Sequence, residues 1–362
     1  MTVERFERLI EWATPRGLQL HSALEYRVID GVGGMYAKSD IAAGELLASF
    51  PKSSLPQPNS NDYPAQASTA ARFIHTASRE WERGKQSEFH PFFAMFDTHD
   101  NLQTYAAYFM DQEALKRIGE ASPKLAQHIT LQQQRHKALL DGLCQFDSNI
   151  ARSTYETLIL AYDSRAMGKA GFVPVIDCFN HHDLKGSMIE HHHDAVCIHA
   201  AEAYPADQQV HISYGQLDLY THGVNYHYFD PAADHRLRAD IHFALPVLSA
   251  LHQRALQPLS TRFKLQLERT ATGIVARLLD PTAHLTQAGP SKTLVSFANE
   301  IAKLGLYGHT TNEVIRGMLS RALEQNSIAK IQRKYFPRAY RRFYDILQRE
   351  QAILQQNLER LK

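Results

Sequence analysis

Along residues 3–13 the apolar side chains Phe6, Leu9, Ile10 and Ala13 recur at three- and four-residue steps, which predicts a short amphipathic helix ending before Pro15. The texture then changes. From Tyr26 to Pro51 short β-compatible runs are separated by Gly31, Gly33, Gly34 and Gly44, the pattern of closely spaced strands and tight turns. Residues 51–68, rich in Pro, Ser and Asn, read as a surface connection. From about 69 to 167 helical spacing dominates, and strand signals return in "GFVPVIDCFNHH" (171–182), "AVCIHAAEAY" (195–204) and "QVHISYG" (209–215). Beyond about residue 236 the pattern is helical nearly to the end. A last helix sets Tyr340, Phe343, Leu347, Leu354, Leu358 and Leu361 on one apolar stripe. The expected fold is α+β, a sheet-forming region split by a helical insertion and followed by an all-helical C-terminal lobe.

Composition narrows this picture. A chain of 362 residues that is 44% hydrophobic can bury the cores of two lobes. With 39 basic and 38 acidic side chains there is no overall field drawing it to nucleic acid or an anionic membrane, so any such binding is local. The acidic start argues against a signal peptide, and no 18 apolar residues run together, so a soluble, cytoplasmic protein is expected. Cys144, Cys178 and Cys197 are odd in number and never form a CxxC pair, which argues against a disulfide framework and a cysteine-built zinc site. Lys330, Arg333, Lys334, Arg338, Arg341 and Arg342 form a basic cluster, read first as a solvated helix face and second as a dock for an acidic protein or a ribonucleoprotein.

"DCFNHHDLKGSMIEHHH" (177–193) raises the question of a metal. His191 and His193 alternate suitably for a strand, with His181 or His199 as a third ligand. However, consecutive histidines beside a loop-like stretch, without a HExxH base, point to a solvated turn at His191, His192 and His193 and to no metal.

Three pieces carry more weight together: "GVGGMYAKSDIAAGELLASFP", then "SRAM" followed by "VPVIDCFNHH", then "QVHISYG" followed by "LYTHGVNYHYFDP". In this order, with a helical insertion between the first and second, the chain resembles the SET-domain methyltransferases. The branch is that of the plant Rubisco large-subunit lysine methyltransferase and the animal actin-histidine methyltransferase, and the resemblance spans essentially the whole chain. It implies a SET β-fold with a pseudoknot over 1–68 and 151–235, a helical insertion over 69–150, and a substrate-binding C-terminal domain over 236–362.

It also implies site residues. Gly34, Glu45 and Leu47 match the element that holds S-adenosylmethionine, and Asn180 and His181 match the Asn-His pair at the crossing where the cofactor docks. Tyr214 matches the catalytic tyrosine. Tyr226 and Tyr228 match aromatic positions walling the methyl-transfer channel. Ser164, Arg165 and Met167, with Asp177, match positions around the substrate channel and the cofactor's carboxylate, for which an arginine fork is apt. The sequence departs from the pattern at Val32, where glycine is usual, at Leu219, where asparagine is usual and Asp218 is the nearest polar substitute, at His227 in place of glycine, and at Tyr228 in place of phenylalanine.

The implied reaction moves a methyl group from S-adenosylmethionine to a lysine of a protein substrate lying across the junction of the lobes, leaving S-adenosylhomocysteine. The Tyr228 phenol would stop the product at mono- or dimethyl. A histidine acceptor and a non-catalytic binding module are the alternatives, and a monomer is expected.

Overall fold

The computed structural model describes residues 2–361 apart from 30, 60–61, 65, 183–185, 216, 228, 230–234, 239, 245–249, 270–272, 281, 327, 329–332, 334–335 and 337. The chain divides into two compact units. The first comprises Met1–Phe109, Leu131–Gly215 and Asn225–His227, and the second Met110–Thr130, Gln216–Val224 and Tyr228–Lys362.

Helix α1 (Val3–Ala13) forms where the periodicity places it, with the Thr2 side chain accepting the Arg5 N–H and Phe6, Leu9 and Ala13 buried. Strands β1 (Gln19–Leu20), β2 (Leu24–Ile29), β3 (Val32–Ala37) and β4 (Leu46–Pro51) follow. β2 and β3 pair as a separate hairpin with Arg27 opposite Gly34. The helical stretch contains α2 (Thr69–Glu82), α3 (His90–Phe93), α4 (His99–Tyr105), α5 (Gln112–Ala121), α6 (Pro123–Phe146) and α7 (Arg152–Arg165). α2 meets α7 through Phe73 against Tyr162 and through a 2.6 Å hydrogen bond from the Thr154 hydroxyl to Glu82. Then come β5 (Asn180–His181), β6 (Ser187–His191), β7 (Ala195–His199) and β8 (His211–Ser213). They complete a six-stranded sheet in the order β1-β4-β7-β6-β8-β5. Both β5 and β6 run parallel to β8, so short segments from three parts of the chain meet there.

One strand expectation fails in this unit. Residues 171–182 were expected to extend as a strand, yet only Asn180 and His181 do so, after a 3-10 turn over Ile176–Cys178. Pro174 has no N–H to donate to a ladder. Val175 is fully buried at φ 69°, ψ −44°, a conformation that costs a β-branched residue about 1–3 kcal/mol. That turn takes Asp177 off the strand line and leads directly into Asn180 at the start of β5.

The second unit takes in α5 and the start of α6. α8 (Leu219–Asn225) begins at Asp218, whose carboxylate accepts the N–H groups of Tyr220 and Thr221 at 3.0 Å each. The expected all-helical lobe is corrected here. β9 (Leu237–Arg238) and β10 (Asp240–Ala244) precede α9 (Ala250–Arg262), and β11 (Leu265–Arg269), β12 (Gly273–Leu278), β13 (His284–Thr286) and β14 (Gly289–Pro290) follow it. They make two three-stranded sheets, β10-β12-β11 and β14-β13-β9. The alternation in "LQLER" and "GIVARL" is the strand signal that the helical reading of this stretch overlooked.

The remainder is helical: α10 (Lys292–Lys303), α11 (Thr311–Gln325), which opens with a capping box of Thr310 and Glu313, and α12 (Arg341–Arg360). On α12 the buried stripe is Phe343, Ile346, Leu347, Glu350, Ile353, Leu354 and Asn357. Leu358 is only half-buried, since one step past Asn357 turns it about 100° away. The basic cluster is partly committed: Arg333 pairs with Asp345 at 2.9 Å, and Arg342 donates to the carbonyls of Gly223 and Ala339. Lys330 and Lys334 lie outside the described residues. Among the described residues no helix is long and apolar enough to cross a membrane.

Candidate active site

Ile212 in strand β8 and Val210 just before it are completely buried, and Tyr214 continues this two-residue alternation just beyond the strand's end. Gly215 then turns the chain away at φ 99°, a left-handed conformation that a side chain would resist. Tyr214 is held at both ends. Its backbone N–H donates to His181 Nδ1 at 3.0 Å, and its hydroxyl donates to the Phe179 carbonyl at 2.6 Å. Because Nδ1 accepts, the His181 ring proton sits on Nε2 when the imidazole is neutral. The His181 ring stacks on Tyr214 at 5.0 Å between centroids, and Tyr226 stacks on Tyr214 at 4.7 Å. The result is an aromatic stack of three rings from three segments, fixed by two hydrogen bonds.

This stack borders a cavity of about 230 Å³. Tyr214 and Tyr226 line it together with Ser164, Arg165 and Met167 at the end of α7 and with Met188, Ile189 and His191 of β6. Ser164 directs its hydroxyl back to the Leu160 carbonyl at 2.9 Å, whereas Met167 is nearly fully buried. Among the described residues lining the cavity there is no carboxylate.

Arg165 donates to Asp177 at 3.0 Å and lies 5.3 Å over the Phe96 ring. The Asp177 side chain is only 2% exposed, whereas Arg165 is 23% exposed where it lines the cavity, so the carboxylate end of the ion pair is the one removed from water. Burial pushes the Asp177 carboxyl up and the guanidinium pulls it back; burial opposes the Arg165 charge, but Asp177 and Cys178 more than offset this and raise its pKa.

Asn180 and Gly34 meet a short distance along the chain from His181. The Asn180 amide donates to the Gly33 carbonyl at 2.9 Å, and a Cβ on Gly34 would fall 2.8 Å from Asn180 Nδ2 and closer still to Gln209 Nε2. Neither Glu45 nor Leu47 lines the cavity: the Glu45 carboxylate accepts the Ala42 N–H at 2.8 Å in the turn before β4, and Leu47 is fully buried in the core. Tyr228 lies outside the described residues. Asp218 caps α8 and pairs with Arg238 at 3.0 Å.

His191, Met188 and Phe96 were missed by sequence reasoning. The histidine run is divided by the end of β6. His192 and His193 occupy the turn, where His192 sits 3.1 Å from Glu190, but His191 lines the cavity. The residue itself is exposed, and partial desolvation, then the charges of Lys52 and Lys169, lower its pKa below the ordinary histidine value. A two-residue step from Ile189 would have signalled this placement. Among the described residues no group of three or more His, Cys, Asp or Glu is arranged to hold a metal ion.

No family model and no curated protein matches the chain. Solved structures do, and they define a SET-domain fold. The matches include the SET domain of LSMT bound to lysine and AdoHcy (TM-score 0.61), Rubisco LSMT bound to AdoMet (0.62) and the SET domain of LSMT bound to MeLysine and AdoHcy (0.63). Each is 12% identical and covers 99% of this chain and 91% of its own, so the likeness is one of fold and extends over both units.

Proposed function

We propose that this chain is an S-adenosylmethionine-dependent protein methyltransferase that modifies lysine and stops at the mono- or dimethyl product. One observation carries the reading: the Tyr214 ring, stacked between His181 and Tyr226, borders a cavity, and Asn180, next to His181 in the chain, packs against Gly34. Solved structures of the same fold hold AdoMet, AdoHcy, lysine or methyllysine. The residues suit the cofactor. Gly34 leaves room for the Asn180 and Gln209 side chains to pack directly on the backbone, where a Cβ would push them away, and the Asn180 amide so placed carries both donor and acceptor atoms. The bound cofactor would supply an electrophilic methyl on a sulfonium.

The protein's part is to align, exclude water and receive a neutral nucleophile. A lysine of pKa about 10.4 must lose its proton at a cost of roughly 4.6 kcal/mol at pH 7. No described carboxylate lines the cavity to take that proton, so desolvation between aromatic rings must lower the amine's pKa, and the Tyr214 oxygen orients its lone pair.

The test is transfer of labelled methyl from the cofactor to protein in lysate of the source cells, followed by a pH profile on the labelled substrate. For lysine the rate should rise up to about tenfold per pH unit through the neutral range, whereas a histidine acceptor would level off above about pH 6.5. A plateau there would overturn the lysine assignment, and cofactor binding with no labelled protein would favour a binding module. Gly34→Val should weaken AdoHcy binding by more than about tenfold in calorimetry. Unchanged affinity would remove Gly34 from the cofactor site.

A further inference from the structure

A second and larger cavity, about 390 Å³, lies wholly within the second unit. Its size falls in the range of small-molecule pockets, roughly 300–1,000 Å³. Polar groups that water scarcely reaches belong to it: Glu350 is 4% exposed, Tyr220 5% and Ser122 2%. Glu350 occupies a position on the α12 stripe where an apolar residue would pack at no electrostatic cost. Asn326 donates to it at 2.9 Å, and the Tyr220 hydroxyl lies 3.5 Å from Ser122 Oγ. Burial, then the Glu350 charge, holds the Tyr220 phenol well above its ordinary value, which places Tyr220 and the carboxylate side by side.

Basic groups also line the cavity. Lys124 comes from the first turn of α6, Arg238 from β9, Arg277 from β12 and Arg321 from α11. Four cations from four elements thus line the same hollow with Glu268 and Glu350, and two of them also pair with carboxylates outside the lining, Arg238 with Asp218 at 3.0 Å and Arg321 with Glu324 at 2.9 Å. Arg277 bonds Gln127 at 2.9 Å and pairs with Glu268 at 3.1 Å, while its Nε is buried with no hydrogen-bond partner among the described residues. Leu285, Met318 and Leu354 supply apolar wall between the charged groups. If Glu350 were only a satisfied core residue, nothing would require an open hollow with this basic lining.

We propose that this cavity binds a small organic anion that also carries a hydrogen-bond donor. A phosphate or carboxylate group meets Arg277, Arg321 and Lys124, and an amine or hydroxyl at the other end donates to Glu350. The apolar body rests on the leucine and methionine wall. This site is independent of the methyl-transfer cavity, and its test does not require methyltransferase activity.

The experiment is calorimetric titration of the full chain with phosphoethanolamine, 4-aminophenyl phosphate and pyridoxamine 5′-phosphate, with inorganic phosphate and pyridoxamine as probes lacking one end. At least one phosphate amine should saturate with Kd below about 1 mM, and the paired substitution Arg277→Gln with Arg321→Gln should weaken it by about tenfold or more. Both arginines are partly exposed, so this variant should fold, which a thermal melt checks. Glu350→Gln should weaken the amine-bearing probe and leave inorganic phosphate unaffected. Saturation by none of the three overturns the proposal. So does binding indifferent to the arginine pair, or inorganic phosphate binding as tightly as every phosphate amine.

Discussion

Tyr214→Phe is expected to lower the rate of methyl transfer by about 100-fold, equivalent to about 2.7 kcal/mol of transition-state stabilisation. The substitution keeps the ring between His181 and Tyr226 and removes only the oxygen, which is bound to the Phe179 carbonyl at 2.6 Å. That hydrogen bond fixes where the oxygen points, and an oxygen so fixed can hold an amine lone pair in line without a reorganisation cost at the moment of reaction. The loss should therefore fall on kcat, with cofactor affinity changed less than about threefold. Stability should drop by only about 1 kcal/mol, the worth of one hydrogen bond. Single-turnover kinetics with saturating cofactor separates these quantities. A variant that keeps its full rate would remove the phenol from the chemistry, and one that loses cofactor binding in proportion to rate would make Tyr214 a cofactor residue instead.

The elements that build this site differ in how plainly the sequence announces them. α1 and β8 were legible because one periodicity governs each: Phe6, Leu9 and Ala13 face one side of a helix, and Val210 and Ile212 face one side of a strand. The turn that delivers Asp177 and Asn180 was not, because its conformation at Val175 contradicts the residue's own preference for extended backbone and is imposed by surrounding packing. The sheets of the second unit were obscured for a different reason. Strands of five or six residues such as β11 and β12 contain too few alternations to outweigh the helical spacing of the long segments around them. His191 was hidden by its neighbours, since three identical residues straddle the end of a strand and only the first lines the cavity. Glu350 shows the limit of pattern reading in the other direction: a charged residue on an apolar stripe looks like an error in register until Asn326 and Tyr220 are seen around it.

Arg165→Met is the substitution expected to damage the first unit most. The methionine retains much of the side chain's volume, so the cost is chiefly electrostatic: the Asp177 carboxylate, 2% exposed, loses the guanidinium that bonds it at 3.0 Å. Breaking a buried pair in this way costs about 3–5 kcal/mol, which in a unit of this size lowers Tm by roughly 10 °C. The pH dependence gives the signature. Burial already pushes the Asp177 carboxyl up even with Arg165 present, and without that cation its folded-state pKa rises further above the unfolded value of about 3.9. A group whose folded pKa is raised favours the folded state while protonated, and that contribution is lost as pH rises through the folded pKa. The variant should therefore lie closest to the parent protein near pH 4 and fall progressively behind it as pH increases. Adding Asp177→Asn to Arg165→Met removes the stranded charge and should recover more than half of the lost stability near neutral pH, with a flat difference from the parent across the range. Thermal melts of the three proteins from pH 4 to 8 measure this directly. A deficit in Arg165→Met that does not vary with pH would mean that Arg165 stabilises the unit through its packing on Phe96 and not through its charge.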